Sequence, residues 1–406
     1  MQDYSPYLDW IDTQRPRMGE LTAALAQINS GSHHLPGLEK CAAAIIHEFQ
    51  PLGGQITQIA LPPQQLMSLD GRHELHPLGR AMEIIKRPSA PLRVLLAIHF
   101  DTVFPADHTF QTTHHVNGRL HGPGVADAKG GLVVMLTALQ ALERSSYPAN
   151  IGWEILLNPD EELGSPGSAH LFIDAAKRNH VGLLFEPAFD DGALVCSRKG
   201  SGNFTALVRG RSAHAGRNPQ DGRNAIAALC EFITGLNRLN HAAPEITVNV
   251  GQIHGGTTPN VVPDRALCRF NVRVTSPQQQ QRAQEYLHRI VAQINQQDGI
   301  SIELSGSFTA PPKPIDSPMR QLMDYVTDCA QRLDIPIAWR ESGGVSDGNR
   351  LAAAGLPNVD SLGVCGGGLH SSDEYMLLDS LTERAKLTAL LLMRLASGEL
   401  PWPPKL

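Results

Sequence analysis

A set of histidines and carboxylates stands where apolar runs and glycine turns end. His99 follows the run LRVLLAI, with Asp101 two residues on. Asp127 lies in the glycine-rich turn GPGVADAKGG. Glu161 and Glu162 follow EILLNPD, Glu186 follows GLLF, and His370 ends the loop GGGLH. Singly, each is as readily a cap or a solvated loop residue, because short motifs discriminate loosely. Together they form a constellation at the carboxyl ends of strands, where open α/β sheets bind their ligands. Imidazole and carboxylate donors without cysteine suit zinc, cobalt or manganese better than copper(I).

The elements that must carry these residues read from periodicity. Residues 92–98 are one continuous apolar run, as expected of a strand buried on both faces. Further strands are expected at 56–61, 81–86, 151–157 and 182–185, with helices within 21–52 and at 129–142. Strands alternating with helices argue for an α/β sheet. The pattern changes near Arg198. Strand 202–211, helix 222–239, strands 245–253 and 266–274, the Gln-rich helix 278–296 and strand 300–305 follow the β-α-β-β-α-β order of a ferredoxin-like sandwich. The Pro-rich stretch 310–318 reads as a linker. Helix 319–333, strand 335–339 and helix 381–396 restore the first pattern. The expected organisation is a discontinuous catalytic domain, 1–198 and 312–406, with a smaller α+β domain inserted at 199–311.

Composition narrows the class. A chain of 406 residues exceeds one ordinary core. Hydrophobic residues at 42% and charged residues at 18% exclude global disorder. The net charge of −6, with no basic block, speaks against nucleic acid. The apolar runs 92–100 and 387–393 are far shorter than the roughly 20 residues that span a bilayer, so no membrane association is expected. The first residues carry no apolar segment behind a basic start. Six scattered cysteines without CxxC fit reduced, buried thiols, hence a cytoplasmic location.

The motifs resemble, over roughly the whole chain, the co-catalytic dizinc exopeptidases and amidohydrolases. That family includes glutamate carboxypeptidase, acetylornithine deacetylase, succinyl-diaminopimelate desuccinylase and aminoacylase. The resemblance rests on HFDTVF, GPGVADAKGG, NPDEELGSPGS, FEP, GRSAHAGRNPQDGRNAI, GGTTPNVVPD, GGVSDGN and GLHSSDE, in that order. It implies that Asp127 bridges two metals, His99 and Glu186 complete one site, and Glu162 and His370 the other. It implies Glu161 as general base and Asp101 as the carboxylate behind His99, an arrangement common around ligand imidazoles. Two zinc ions against three carboxylates and one hydroxide are neutral together, as a buried site requires. The resemblance also assigns substrate contacts to His214, Asn260, Arg273 and Gly344. The insert would close over the site and form a homodimer, in which His214 reaches the partner's site. Arg273 suits a substrate carboxylate, which Arg grips with a bidentate fork. The expected activity is hydrolysis of an amide or peptide bond beside a free carboxylate, on a small molecule or short peptide. Glutamate-carboxypeptidase-like action stands first and N-acyl amino acid deacetylation second.

Two rival readings come from different classes. Gly344-Val345-Ser346-Asp347-Gly348 matches GxSxG between an expected strand and a helical stretch, and Asp360 and His370 follow in the order of a serine-hydrolase triad. That reading leaves Asp127, Glu161, Glu162 and Glu186 unexplained. A non-enzymatic peptide-binding protein on the same fold would have lost its base or ligands, and here Glu161 and all five ligands are present. The glycine turn at 122–131 matches neither GxGxxG nor the Walker spacing, which speaks against a nucleotide role on motif grounds.

Overall fold

A computed structural model describes residues 2–243 and 245–403. The Leu92–His99 run forms the strand its apolarity demands, at the heart of a six-stranded sheet. The strand order is Gln55–Ala60, Arg80–Lys86, Ile151–Asn158, Leu92–His99, Val181–Leu184, Asn358–Val359. The last three contacts in that order are parallel and the first two antiparallel. Side chains alternate across a strand. Val94, Leu96 and Ile98 therefore join one core with Leu132, Leu136 and Leu390, from the helices Gly130–Arg144 and Asp379–Ala396. Leu95 and Ala97 face the other way, against Phe172 and Leu351 from Ala169–Arg178 and Asp347–Ala353. A sheet with helices on both faces needs strands without a polar side, and this one supplies them. The α/β class is as expected.

A second sheet has its own core. Strands Gly200–Arg209, Ile246–Gly255, Arg265–Val274 and Ser301–Ala310 pair antiparallel. Their order is Ile246–Gly255, Arg265–Val274, Gly200–Arg209, Ser301–Ala310, the ferredoxin-like arrangement. Helices Ala225–Ala242 and Pro277–Ile294 cover one face through Phe232, Leu236, Leu287 and Ile290. Asn224 and Ser276 start them, each accepting a backbone N–H with its side chain. The chain crosses between the two sheets at residues 198–200 and 310–313. There Arg198 and Lys313 exchange backbone hydrogen bonds of 3.2 and 3.0 Å.

Four expectations need correction. Residues 335–338 form no strand; the strand is Trp339–Ser342, parallel to Leu194–Arg198. Pro336 has no N–H to give a ladder, which accounts for the shift. The linker is shorter than 310–318, because Ala310 still pairs and Asp316 already caps the helix Ser317–Arg332. Five cysteines are buried, but Cys230 is exposed. Finally, Val125–Arg144 is long and apolar enough by composition to cross a membrane, which the shorter runs do not reveal; it is almost wholly buried inside the protein.

Candidate active site

Asp127 organises the cluster. Its Oδ1 lies 3.0 Å from His99 Nε2 and its Oδ2 lies 3.3 Å from His370 Nε2. Each imidazole has its own glutamate. His99 Nε2 is 3.8 Å from Glu186 Oε2, and His370 Nε2 is 3.2 Å from Glu162 Oε2. One carboxylate therefore stands between two His–Glu pairs, one oxygen to each. His99, Asp127 and Glu162 offer ligand atoms all within 4.8 Å of one another.

Local structure explains why these side chains meet. His99 ends its strand beside Asn158, whose strand leads into the Glu161–Leu163 turn. Asp101 ties the two together. Its Oδ1 accepts the Glu161 N–H at 3.2 Å and its Oδ2 the Glu162 N–H at 3.2 Å. Ser32 Oγ donates to Oδ2 at 2.7 Å; His99 Nδ1 bonds the Asp101 main-chain carbonyl at 3.0 Å and stands 3.3 Å from Asp101 Oδ1. Asp127 sits in the Val125–Lys129 turn, held from behind by a residue the sequence reading left without a role. Buried Glu374 accepts the N–H groups of Gly124 (3.1 Å), Ala126 (3.0 Å) and Asp127 (3.0 Å). Its signal was the acid closing GLHSSDE, four residues after His370. Gly131 lets the next helix approach the strand end that carries Glu186. A Cβ there would lie 2.0 Å from the Phe185 carbonyl oxygen.

The electrostatics is that of crowded carboxylates. Burial, then the charge of Glu186, pushes Glu161 well above the ordinary glutamate range. Burial raises Glu162, and it raises Glu186 to about 8. Burial opposes ionisation of Asp127 too, but hydrogen bonds from His370 and His99 hold it well below the usual carboxylate range. Asp127 and Glu162 raise His370 to about 10. Four carboxylates on two imidazoles carry more negative charge than a buried site tolerates when ionised, and divalent cations would balance it.

A cavity of about 560 Å³ opens beside the cluster, lined by Asp127, Glu186, His370, Arg198, Ser342 and Gly344 among others. The substrate positions divide around it. Gly344 lines it, whereas His214, Asn260 and Arg273 are not among its lining residues. Arg273 instead donates to the Gly343 carbonyl at 3.1 Å. His214 and Asn260 are exposed neighbours at the end of the insert, where the Ala215 N–H bonds the Asn260 carbonyl at 3.0 Å. His214 Nδ1 accepts from Gly216 N and Arg217 N, both at 3.1 Å. That fixes the proton on Nε2 and leaves an outward donor.

The rival serine-triad reading fails on geometry. Ser346 is fully buried as the cap of Asp347–Ala353. It donates to Asp360 at 2.7 Å, while Asp360 is gripped by Arg198 at 2.5 and 2.9 Å. His370 serves Asp127 and Glu162 instead.

Residues 95–394 match the peptidase family M20/M25/M40. The chain belongs to that family. It is accordingly a metal-dependent hydrolase, as the comparisons agree. The chain is 27% identical over 313 residues to carboxypeptidase G2 of Pseudomonas sp. (strain RS-16), covering 75% of this chain and 74% of that protein. It is also 27% identical over 288 residues to the succinyl-diaminopimelate desuccinylase of Nitrosospira multiformis, covering 68% and 74%. The fold matches the YXEP protein of Bacillus subtilis, a dinuclear metal binding peptidase of the M20 family, at a TM-score of 0.64 and 16% identity, covering 95% of this chain and 99% of that one. The non-enzymatic reading is set aside with this membership.

Proposed function

We propose that this M20 hydrolase cleaves an amide or peptide bond next to a free carboxylate, in the manner of a carboxypeptidase, at a centre built for two divalent ions. The observation that carries the reading is the Asp127 carboxylate, with one oxygen toward His99 and the other toward His370. Asp127 would bridge, His99 and Glu186 would hold one ion, and Glu162 and His370 the other. Zinc, cobalt or manganese, when bound there, would polarise the scissile carbonyl and acidify water. Glu161 is the general base. Its backbone is fixed by Asp101, and burial and Glu186 give its carboxylate a high proton affinity. It takes the proton of the attacking water as the C–O bond forms and delivers it to the nitrogen as the C–N bond breaks. Asp101 is a positioning residue.

His214 Nε2–H is a suitable donor to the carbonyl oxygen, and Asn260, Arg273 and Gly344 complete the substrate contacts in this reading. Because His214 and Asn260 lie away from their own chain's cavity, a homodimer through the insert would supply them from the partner. Mixing His214→Ala with Glu161→Ala tests this. Re-associated heterodimers contain one intact site and should regain activity that neither variant has alone. Absence of recovery, with mixed dimers demonstrated, would refute the cross-subunit role. A second reading, N-acyl amino acid deacylation of the same bond type, is supported by the likeness to a desuccinylase. Release of the free amino acid from peptidyl- and N-acyl-glutamate against N-acetyl- and N-succinyl-diamino acids decides between them. Hydrolysis of none of these would remove the free-carboxylate requirement.

A further inference from the structure

The turn that carries Glu161 and Glu162 is held from two sides. Asp101 accepts their N–H groups on one side. On the other, buried Asp347, the first residue of the helix Asp347–Ala353, holds both ends of the turn. Its Oδ2 accepts Asn158 Nδ2 at 2.8 Å, where the strand finishes. Its Oδ1 accepts Ser165 Oγ at 2.6 Å, just past the turn. Arg350, one helical turn on and also buried, donates Nη1 to Asp347 Oδ1 at 2.7 Å and Nη2 to the Gly164 carbonyl. Hydrogen bonds to charged groups are roughly twice as strong as neutral ones. Ser165 has a φ of 51°, in the left-handed region that disfavours L side chains. A residue stays there only where its surroundings hold it, and the Asp347 bond is one such hold.

The helix is itself fixed in place. Asn349 Nδ2 donates to the carbonyls of Lys199 (3.0 Å) and Pro311 (2.7 Å), at the two crossings to the insert. Its Oδ1 accepts the Ser346 N–H at 3.1 Å. Gly348 is packed so closely that a Cβ would lie 2.9 Å from Asn358 Oδ1 and from Asp360 Oδ2. The loop that leads into the helix lines the substrate cavity through Gly344 and Val345. One anchored element thus meets the substrate cavity with its leading loop and the catalytic turn with Asp347 and Arg350.

We propose that Asp347 is a positioning residue for the general base: through Asn158 and Ser165 it sets where the Glu161–Glu162 turn stands relative to bound substrate. It rests on the amide-hydrolase reading above. Placement of a base acts on turnover rather than on binding, so kcat and not KM should respond. A displacement of about 1 Å can cost about 10²-fold in rate. Asp347→Ala frees both ends of the turn and should lower kcat about 10- to 100-fold at saturating metal. Ser165→Ala removes one bond, keeps the Asp347–Arg350 pair, and should lower kcat about threefold to tenfold. KM should stay within about twofold for both, below the effect of one hydrogen bond. A loss of stability alone would leave kcat per folded molecule unchanged. Unchanged kcat in the folded variants, or a KM change larger than the kcat change, overturns the assignment. If Asp347→Ala does not fold, Ser165→Ala decides. If the unaltered protein hydrolyses neither peptidyl- nor N-acyl-amino acids, the hydrolase reading fails instead. Amide hydrogen exchange of Ser165→Ala then reads the turn without substrate or metal. Loss of protection confined to residues 158–168 supports Asp347 as the clamp of the turn; unchanged or uniformly faster exchange overturns it.

Discussion

Asp101→Asn alters one atom of a fully buried carboxylate and leaves its shape intact. Both oxygens are occupied. Oδ1 accepts the Glu161 N–H and lies 3.3 Å from His99 Nδ1, and Oδ2 accepts the Glu162 N–H and the Ser32 hydroxyl. An amide keeps one acceptor. With its nitrogen toward Glu161, two N–H groups confront each other under His99. With its nitrogen toward Glu162, that N–H is orphaned and Ser32 must rotate to accept. Either orientation strands at least one buried donor, at a cost of about 1–3 kcal/mol. That corresponds to about fivefold to 150-fold in an equilibrium constant. Residues behind ligand imidazoles typically change metal affinity or activity by about 10- to 100-fold. Competition with a chromophoric chelator reads metal affinity, and turnover at saturating metal reads the placement of Glu161. Both should fall in Asp101→Asn. Unchanged affinity and unchanged turnover would refute the claim that Asp101 positions the base and the ligands.

Glu161→Ala should keep its metals and lose about 10²- to 10⁴-fold in kcat, by elemental analysis and initial rates; near-normal turnover removes it from the mechanism. Ser346→Ala should lose a helix cap, about 0.5–2 kcal/mol in urea unfolding, and stay active; serine-directed inhibitors should leave the enzyme untouched, and inactivation by them would reinstate the triad. Lys313→Met should stabilise the protein at pH 7 by up to about 4 kcal/mol, since its fully buried ammonium makes no hydrogen bond, stands 3.6 Å from Asp360 as a long ion pair only, and leaves Arg198 still paired with Asp360 when removed. Burial lowers Lys313 to about 8, against its ordinary 10.5. Between those values the unfolded chain binds more protons, so the stability of the unaltered protein rises with pH across that window. Urea midpoints at pH 7 and 10 should show that rise, and the Met variant should lack it.

The clustered residues were legible because they stand at the ends of apolar runs or in glycine-rich turns. Strands buried on both faces announce themselves as continuous hydrophobic stretches, and His99 and Glu186 follow them directly. The ferredoxin-like order was legible because its helices and strands keep separate periods. What escaped were elements fixed by tertiary contact. Glu374 is an isolated acid whose role depends on folding back onto three N–H groups about 250 residues earlier. The hairpin Gln64–Met67 and His73–His76 is largely exposed and weakly patterned, so its docking on the insert, where Met67 packs on Leu207 and Leu267, is invisible to periodicity. The rival GxSxG match arose because a buried cap and a nucleophile elbow share the same small residues; the burial of Ser346, the Asp360–Arg198 partnership and the engagement of His370 separate them.

The proposed two-ion centre is arranged about Asp127. Elemental analysis of protein purified without chelator or metal-affinity resin measures it directly. About two zinc, cobalt or manganese ions per chain are expected, from the ligand chemistry of the site. Protein that holds no metal, and takes up none at neutral pH, would contradict it.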